Sequence, residues 1–413
     1  MKVLLSHPTG NANVRAAARG LFKAGMLSEF RTSIATFPGS LLDNIADIKP
    51  LAELRRRSFD ADLQSVTKMW PWIELGRMIA LKGGISTLTK HETGLFSVDA
   101  VYRSLDKLVA GNLKTSMKHG AQALYCYEDC AKLTFKTAKS LHLKCLYDLP
   151  IGYWRTARKL LEQDRLKMPE WASTLTGLSD SQSKLASKDE ELRLADTIFV
   201  ASRFTAKTLE DFQGKLAPVK VIPYGFPSVN NEKISAGFDG QRPLKVLFVG
   251  GLSQRKGIAY LFEAVSLLGK RVELTIVGSK ASEVVCEPLN KALSQHKWIP
   301  SLANAEILKL MKSQDVLVFP SLFEGFGLVI TEAMSQGTPV ITTDRTAGPD
   351  LISNGENGWL IEAGSTEAIR TALEEILTNP ESILKASIAA RETARKRTWE
   401  AYGLELAEAI KTS

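Results

Sequence analysis

The sequence predicts an α/β protein of two domains, each a parallel sheet wrapped by helices, facing each other across a cleft. Three observations carry this. At about 150 residues per domain, 413 residues make two or three domains. The composition, 44% hydrophobic and 24% charged with a mean hydropathy of −0.06, fills sizeable cores and excludes disordered, collagen-like and disulfide-stapled chains. Short apolar runs alternate with helical spacing in both halves, and a patternless stretch, Pro223 to Pro243, divides them with Gly225, Pro227, Asn230, Asn231, Gly237 and Gly240.

In the first half, Lys2 to Ser6 reads as a strand, Asn13 to Lys23 as a helix and Ser33 to Thr36 as a strand. Pro50 to Lys90 reads as a long helical region holding the basic cluster Arg55, Arg56 and Arg57. Gln122 to Tyr127 and Leu143 to Tyr147 are strands around a helix at Ala131 to Ser140. Helices follow at Trp154 to Asp164 and Lys188 to Ala195, then the strand Thr197 to Val200, the helix Thr205 to Gln213 and the strand Val219 to Ile222. The second half is clearer. Lys245 to Val249 is a strand ending at Gly250 and Gly251, a basic loop runs from Ser253 to Gly257, and Ile258 to Leu268 is a helix. Val272 to Val277 is the next strand and Trp298-Ile299 a short apolar step. Asn304 to Lys312 is a helix, Asp315 to Pro320 a strand, Phe326 to Ser335 a helix and Thr338 to Thr342 a strand. Such runs require a sheet covered on both faces. The expected division is 1–223, a linker at 224–243, 244–390, and a terminal segment 391–413. Ligands are expected where the carboxyl ends of both sheets face the cleft.

The formal charge is +8, and its excess is confined to the first half: through Val229 there are 33 Lys and Arg against 23 Asp and Glu. That half either faces an anionic partner or is simply well solvated. The apolar start MKVLLSHPTG is too short for a signal-peptide core, and no uncharged run of about 18 residues exists. Cys126, Cys130, Cys145 and Cys286 form no CxxC pair and read as reduced core thiols of a cytoplasmic protein. No RRM, zinc-finger or basic-helix pattern accompanies the high pI, so nucleic acid is not an expected partner.

SLFEGFGLVITEAMSQGTPVI (Ser321 to Ile341) resembles the signature of the retaining GT-B glycosyltransferases, the family that includes sucrose synthase and the bacterial phosphatidylinositol mannosyltransferases; Glu324 and Glu332 match its paired glutamates. FVGGLSQRKGI (Phe248 to Ile258), VASRFTAKTL (Val200 to Leu209), VIPYG (Val221 to Gly225) and GPDLISNGENGWL (Gly348 to Leu360) match further segments in the same order. The resemblance is strong over Asp196 to Leu360 and weaker before it. It implies two Rossmann-like domains of GT-B type, a nucleoside-diphosphate sugar held mainly by the second, a hydroxyl acceptor held mainly by the first, and hexosyl transfer with retention. It also implies a last helix crossing back to the first domain, with Trp399 at the crossover. The implied work is glycan, polysaccharide or glycolipid assembly. A sugar-nucleotide epimerase or phosphorylase of similar architecture and a non-catalytic partner subunit are the alternatives.

The chemistry requires cations and backbone donors aimed at a departing diphosphate. By resemblance Lys256 contacts that diphosphate; relatives often carry an arginine where Gly251 stands here, and Arg255 either supplies the missing charge or one cation suffices. Gly250, Gly251, Gly325, Phe326, Gly327 and Leu328 form the expected phosphate and sugar cradle, since glycines admit close approach and the next helix aims free N–H groups at anions. The resemblance gives Glu324 to the donor sugar hydroxyls and Glu332 to the ribose hydroxyls; a carboxylate accepts from two neighbouring hydroxyls. Gly10 and Asn11, after the first strand, either match a glycine-rich loop that closes over the phosphates in relatives or form a plain turn. No DxD-like pair or His/Cys cluster appears, so no obligatory metal is implied.

The first domain departs from the pattern. Where many relatives have a histidine before an acidic residue, this chain has Tyr127 before Glu128 and Asp129. Glu128 or Asp129 then supplies a base or orients the acceptor, His7 and His142 are local candidates, and Asp148 in Tyr147-Asp148-Leu149-Pro150 is another acceptor-side polar site at a strand end. Arg15 and Arg19, four apart on one helix, face either an anionic acceptor or solvent. Arg55 to Arg57, Lys68, Trp70, Trp72, Arg77 and Lys82 combine charge with aromatic surface and suit peripheral contact with an anionic, inner-face membrane. The alternative is tryptophans in a core beneath a solvated charged face.

Overall fold

In the first half, the strands β1 (Val3–Ser6), β2 (Leu27–Thr32), β3 (Thr67–Met69), β4 (Ala123–Tyr127), β5 (Lys144–Leu149), β6 (Thr197–Val200) and β7 (Val219–Val221) pair in the order β3-β2-β1-β4-β5-β6-β7. The second sheet, β8 (Leu244–Val249), β9 (Val272–Val277), β10 (Lys297–Ile299), β11 (Val316–Phe319), β12 (Val340–Thr343) and β13 (Gly358–Ile361), runs β10-β9-β8-β11-β12-β13. All pairings within both sheets are parallel. These orders come from a computed structural model that describes residues 1–40, 57–175, 178–229, 238–281 and 285–413. In each sheet the order reverses beside the first strand, between β1 and β4 and between β8 and β11, and such switch points open crevices at the carboxyl ends.

Six helices matter for the site: α1 (Ala12–Lys23), α2 (Val98–Lys118), α3 (Ile258–Leu268), α4 (Leu328–Ser335), α5 (Glu381–Lys396) and α6 (Trp399–Lys411). Helix α3 is apolar on most of its surface because the sheet and neighbouring helices cover it, with Ile258, Leu261, Ala264 and Val265 fully buried. The chain crosses back to the first half through Arg397 and Thr398, and α6 lies against α1. The crossing is very close: a Cβ on Gly20 would collide with the Gly403 carbonyl. Tyr402, Leu406 and Ile410 are buried in that contact, and Lys23 pairs with Glu400 at its rim.

Three expectations are corrected. The second strand is Leu27–Thr32 and ends before Ser33–Thr36. Its charges hid it: Glu29 and Arg31 are buried as an ion pair, with Ser116 Oγ donating to Glu29 at 2.8 Å and Lys68 at 3.1 Å. The region read as one long helix holds a turn at Ala61–Val66, the strand β3 and a helix at Trp72–Lys82; residues 50–56, including Arg55 and Arg56, lie outside the described residues. The 21-residue helix α2 had no assignment, and the helix expected at Lys188 begins at Gln182. All four cysteines are free and buried.

Between the two sheets the segment after β5 makes a second contact. The helix Trp154–Lys167 and the turn Pro169–Thr174 reach the second domain, where Leu161 and Trp171 join its core, Trp171 stacking on Phe262 with centroids 6.0 Å apart. Tyr260 Oη donates to Asp164, and the Gln254 N–H donates to Thr174 Oγ1 at 2.8 Å.

Candidate functional site

After β8 the chain turns through Gly250 and Gly251 into the tight turn Gln254–Lys256, closed by Gly257 at φ 69°. Glycine is required there, since a Cβ would strike the Pro320 carbonyl. The loops after β8 and β11 are thereby joined: the Arg255 carbonyl accepts from the Leu322 N–H at 2.8 Å and from Ser321 Oγ at 3.1 Å. Both cations reach Glu324. Arg255 Nη1 donates to Glu324 Oε2 at 3.1 Å and to the Phe323 carbonyl at 2.9 Å, and the Lys256 ammonium contacts the same carboxylate oxygen. Lys256 Nζ also lies 4.7 Å from the Phe319 ring centroid. Burial pushes the Glu324 carboxyl up, but Lys256 and Arg255 outweigh it and hold it below the usual carboxylate range. Burial lowers the Lys256 ammonium, Arg255 adds to this and Glu324 opposes it. Two cations facing one carboxylate leave positive charge for an arriving anion.

Gly325 follows, and a Cβ there would collide with the Pro150 carbonyl of the first domain. Its own carbonyl accepts from Ser202 Oγ at 2.6 Å and Thr205 Oγ1 at 2.9 Å, so this loop is seated directly on the opposite domain. Gly327, at φ 89°, starts α4, whose first N–H groups have no acceptor within the helix. Glu332 lies further along α4. Burial raises its carboxyl, and Asn304 Nδ2 donates to it at 2.8 Å, with the opposite effect. Leu328, Glu332 and Asn304 form one wall of a cavity of about 370 Å³ between the domains; Arg15 and Arg19 form the other, and Trp399 contributes from α6. Arg19 Nε stands 3.2 Å from Asp60. Gly10 is buried beneath the Phe59 ring, while Asn11 is exposed as the residue capping α1. A Cβ at Gly251 would meet nothing within 4 Å.

The remaining first-domain candidates are divided among separate environments. Tyr127 is buried between His7 and Tyr125, at centroid distances of 4.6 and 5.5 Å, and its hydroxyl has no hydrogen-bond partner among the described residues. Asp148, opposite Tyr127 in the β4–β5 register, accepts from the Tyr125 hydroxyl, and burial pushes its carboxyl up to about 7. Burial also lowers His7 to about 4, which leaves it neutral. His142 precedes the amino end of β5, at the sheet edge away from the cleft. Glu128 and Asp129 turn toward Lys188, at 3.4 and 3.7 Å. Burial raises Glu128 to about 7 against the opposing Lys188 charge. Asp129 lines a second cavity, of about 460 Å³, together with Asp99, Arg103, Lys184 and Glu191.

Among the described residues, one trio has metal-ligand geometry: His91, Glu92 and Asp180, near that second cavity. Protein donors already occupy its carboxylates, with Lys184 at 3.1 Å from Asp180 and the Ser181 N–H at 2.7 Å from Glu92. The sequence reading gave no role to Asn304, Thr174, Ser202 or Thr205. Ser202 and Thr205 lie within the matched segment Val200 to Leu209, but their contacts, like those of the other two, are to residues 28 or more positions away.

Residues 230–397 match the family model Glycosyl transferases group 1. Among curated proteins, the chain is 29% identical over 171 residues to alpha-maltose-1-phosphate synthase of Mycolicibacterium smegmatis, covering 38% of this chain and 44% of that protein. It is 29% identical over 172 residues to phosphatidyl-myo-inositol mannosyltransferase of Mycobacterium leprae, covering 40% and 46%. The chain thus spans less than half the length of these relatives. Solved structures match along the whole chain. Sucrose-phosphate synthase from Thermosynechococcus elongatus superposes with a TM-score of 0.66 at 18% identity, covering 100% of this chain and 98% of that one. Anabaena HepE in complex with UDP-glucose gives 0.62 at 15% identity, covering 100% of both. The architecture is that of GT-B glycosyltransferases: two Rossmann-like domains about a central cleft and a terminal helix returning to the first.

Proposed function

We propose that this protein is a retaining glycosyltransferase that moves a hexosyl group from a nucleoside-diphosphate sugar to a hydroxyl acceptor in glycan, polysaccharide or glycolipid assembly. The observation that carries the reading is the junction at Glu324, where two cations from the loop after β8 meet a carboxylate immediately before the amino end of α4, at the sheet's switch point. Donor phosphates lie against Lys256, Arg255 and the N–H groups of Gly327 and Leu328, which stabilise charge growing on the leaving diphosphate. Glu332 accepts from ribose hydroxyls, with Asn304 fixing its orientation. Glu324 accepts from hydroxyls of the transferred sugar. The acceptor enters from the first domain on the face the phosphate leaves, and a phosphate oxygen takes its proton, so configuration is kept without a glycosyl-enzyme ester. No metal is required, because the cations and the helix terminus meet the diphosphate charge.

The relatives support this in name: one matched structure holds UDP-glucose and one matched protein is a phosphatidyl-myo-inositol mannosyltransferase. The test is calorimetric titration with UDP, GDP and ADP sugars, followed by hydrolysis without acceptor and NMR of the released anomer. One nucleotide should bind and the first-formed sugar should retain its configuration. Binding of none, or inversion, removes the reading.

A further inference from the structure

Of the eighteen large hydrophobic side chains exposed among the described residues, eight lie between Met69 and Val98. They are concentrated on and beside one element. The helix Trp72–Lys82 turns Glu74, Met78 and Ala80 inward, and leaves Trp72, Leu75, Ile79 and Lys82 along one outward stripe at i, i+3, i+7 and i+10. Trp72 is 64% exposed and Ile79 71%. Ile85, Leu95 and Val98, on the turns that follow and at the start of α2, continue the apolar surface. A contiguous apolar surface bordered by charge marks an interaction site.

The structure separates the residues that the sequence grouped here. Trp70 is half-buried and donates through Nε1 to Ser104 Oγ at 2.9 Å, and Arg57 is paired with the buried Glu74. Neither belongs to the outward face. Charge selects the occupant. Between Thr67 and His91 the only acidic residue is Glu74, and it is turned inward onto Arg57 and Arg77. The rim therefore presents Lys82 and Lys90 around an aromatic and aliphatic centre, with Lys68 at its edge paired to Glu29, while Glu92 and Asp99 beside Leu95 and Val98 are held by the Ser181 N–H and by Lys184. Such a face suits the headgroup boundary of an anionic bilayer, where Trp72 and Ile79 enter the acyl edge and the lysines meet lipid phosphates. Its position fits as well. The helix begins three residues after the edge strand β3, whose carboxyl end lies on the same side of the first sheet as Gly10 and Tyr127.

We propose that the outward face of Trp72–Lys82, with Ile85, Leu95 and Val98, docks this protein onto an anionic lipid surface. Among the described residues no helix is long and apolar enough to cross a membrane, and the contact is a surface one. The test is co-sedimentation of the full chain with phosphatidylcholine vesicles with and without phosphatidylglycerol, at low and high salt. Wild-type protein should sediment with the anionic vesicles, less at high salt, and not with pure phosphatidylcholine. Trp72→Ser/Ile79→Ser should weaken this at least roughly ten-fold with circular dichroism and nucleotide affinity unchanged. Leu267→Ser, an exposed leucine on α3, should leave it intact. Vesicle binding unaltered in the double variant overturns the proposal. So does a lipid-free dimer, seen by sedimentation velocity in wild type and lost in the double variant. Because the readout is binding, it is scored separately from sugar transfer.

Discussion

Replacing Glu324 by glutamine separates the two tasks assigned to the loop after β11. The carboxylate lies 3.1 Å from Arg255 and in contact with Lys256, with all three side chains largely withdrawn from water. At an effective dielectric of about 20, one such attraction is about 5 kcal/mol before desolvation is counted. The desolvation of three partly buried groups cancels most of it, leaving about 1 to 2 kcal/mol of competition against an arriving diphosphate. Glutamine keeps the shape and an acceptor oxygen but removes the charge. UDP or the matching nucleoside diphosphate should therefore bind Glu324→Gln about as well as wild type or up to about ten-fold tighter. Turnover should fall about a hundred-fold or more, because the hydroxyls of the moving sugar lose an ionised acceptor when positive charge develops on it. Isothermal titration with the diphosphate and initial rates with the intact donor measure the two quantities independently. A variant that loses nucleotide affinity in step with turnover, or keeps full turnover, refutes the assignment of Glu324 to the sugar.

Four further outcomes are expected. Gly251→Arg meets no steric barrier and adds a cation beside the proposed diphosphate site, so it should fold normally and bind nucleoside diphosphate a few-fold more tightly by calorimetry. Gly20→Ala forces α1 away from the Gly403 carbonyl and should cost about 2 kcal/mol or more in urea unfolding, with earlier proteolysis of α6. Thr174→Val leaves the buried Gln254 N–H without its acceptor, which costs about 1 to 3 kcal/mol; because Gln254 directly precedes Arg255, the KM for donor should rise. Asp148 holds its proton to about pH 7 in the folded chain and to about 3.9 when unfolded. Its contribution thus favours folding at low pH and is lost as pH rises from about 4 through 7. Asp148→Asn keeps an acceptor for Tyr125 and should show a shallower decline in Tm across that window; an identical decline contradicts the burial argument.

The second half was legible because its elements are written in uninterrupted apolar runs. Ile258–Leu268 and Val272–Val277 have the limits their periodicity gives, and Gly257 and Gly278 punctuate them. Leu27–Thr32 was not legible, since a buried Glu29–Arg31 pair looks like solvent-facing charge until Ser116 and Lys68 arrive from elsewhere in the chain. The same division holds at the site. Glu324 and Glu332 lie within one motif and Lys256 in the separate glycine-turn segment Phe248 to Ile258, and the structure brings Lys256 and Glu324 into contact. The first-domain candidates share only proximity in sequence. Parallel pairing sends Tyr127 and Asp148 inward, while the positive φ of Asp129 (69°) helps turn its segment toward Lys184 and Lys188. Asp148 meets Tyr125 from the neighbouring strand, and Asp129 meets lysines 55 and 59 positions away, so neither pairing is written in a local pattern.

The two passages of chain between the halves run side by side: the Phe226 N–H donates to the Arg397 carbonyl at 2.8 Å, Arg397 Nε donates to the Pro223 carbonyl at 2.9 Å, and Phe226 bridges Thr398. Two adjacent tethers define an axis, so separation of the domains is a rotation like the covers of a book about its spine, with little sliding. Asp164–Tyr260 and Thr174–Gln254 act as a clasp between those covers, and since Gln254 adjoins Arg255 and Lys256, releasing the clasp also frees the turn that carries the two cations.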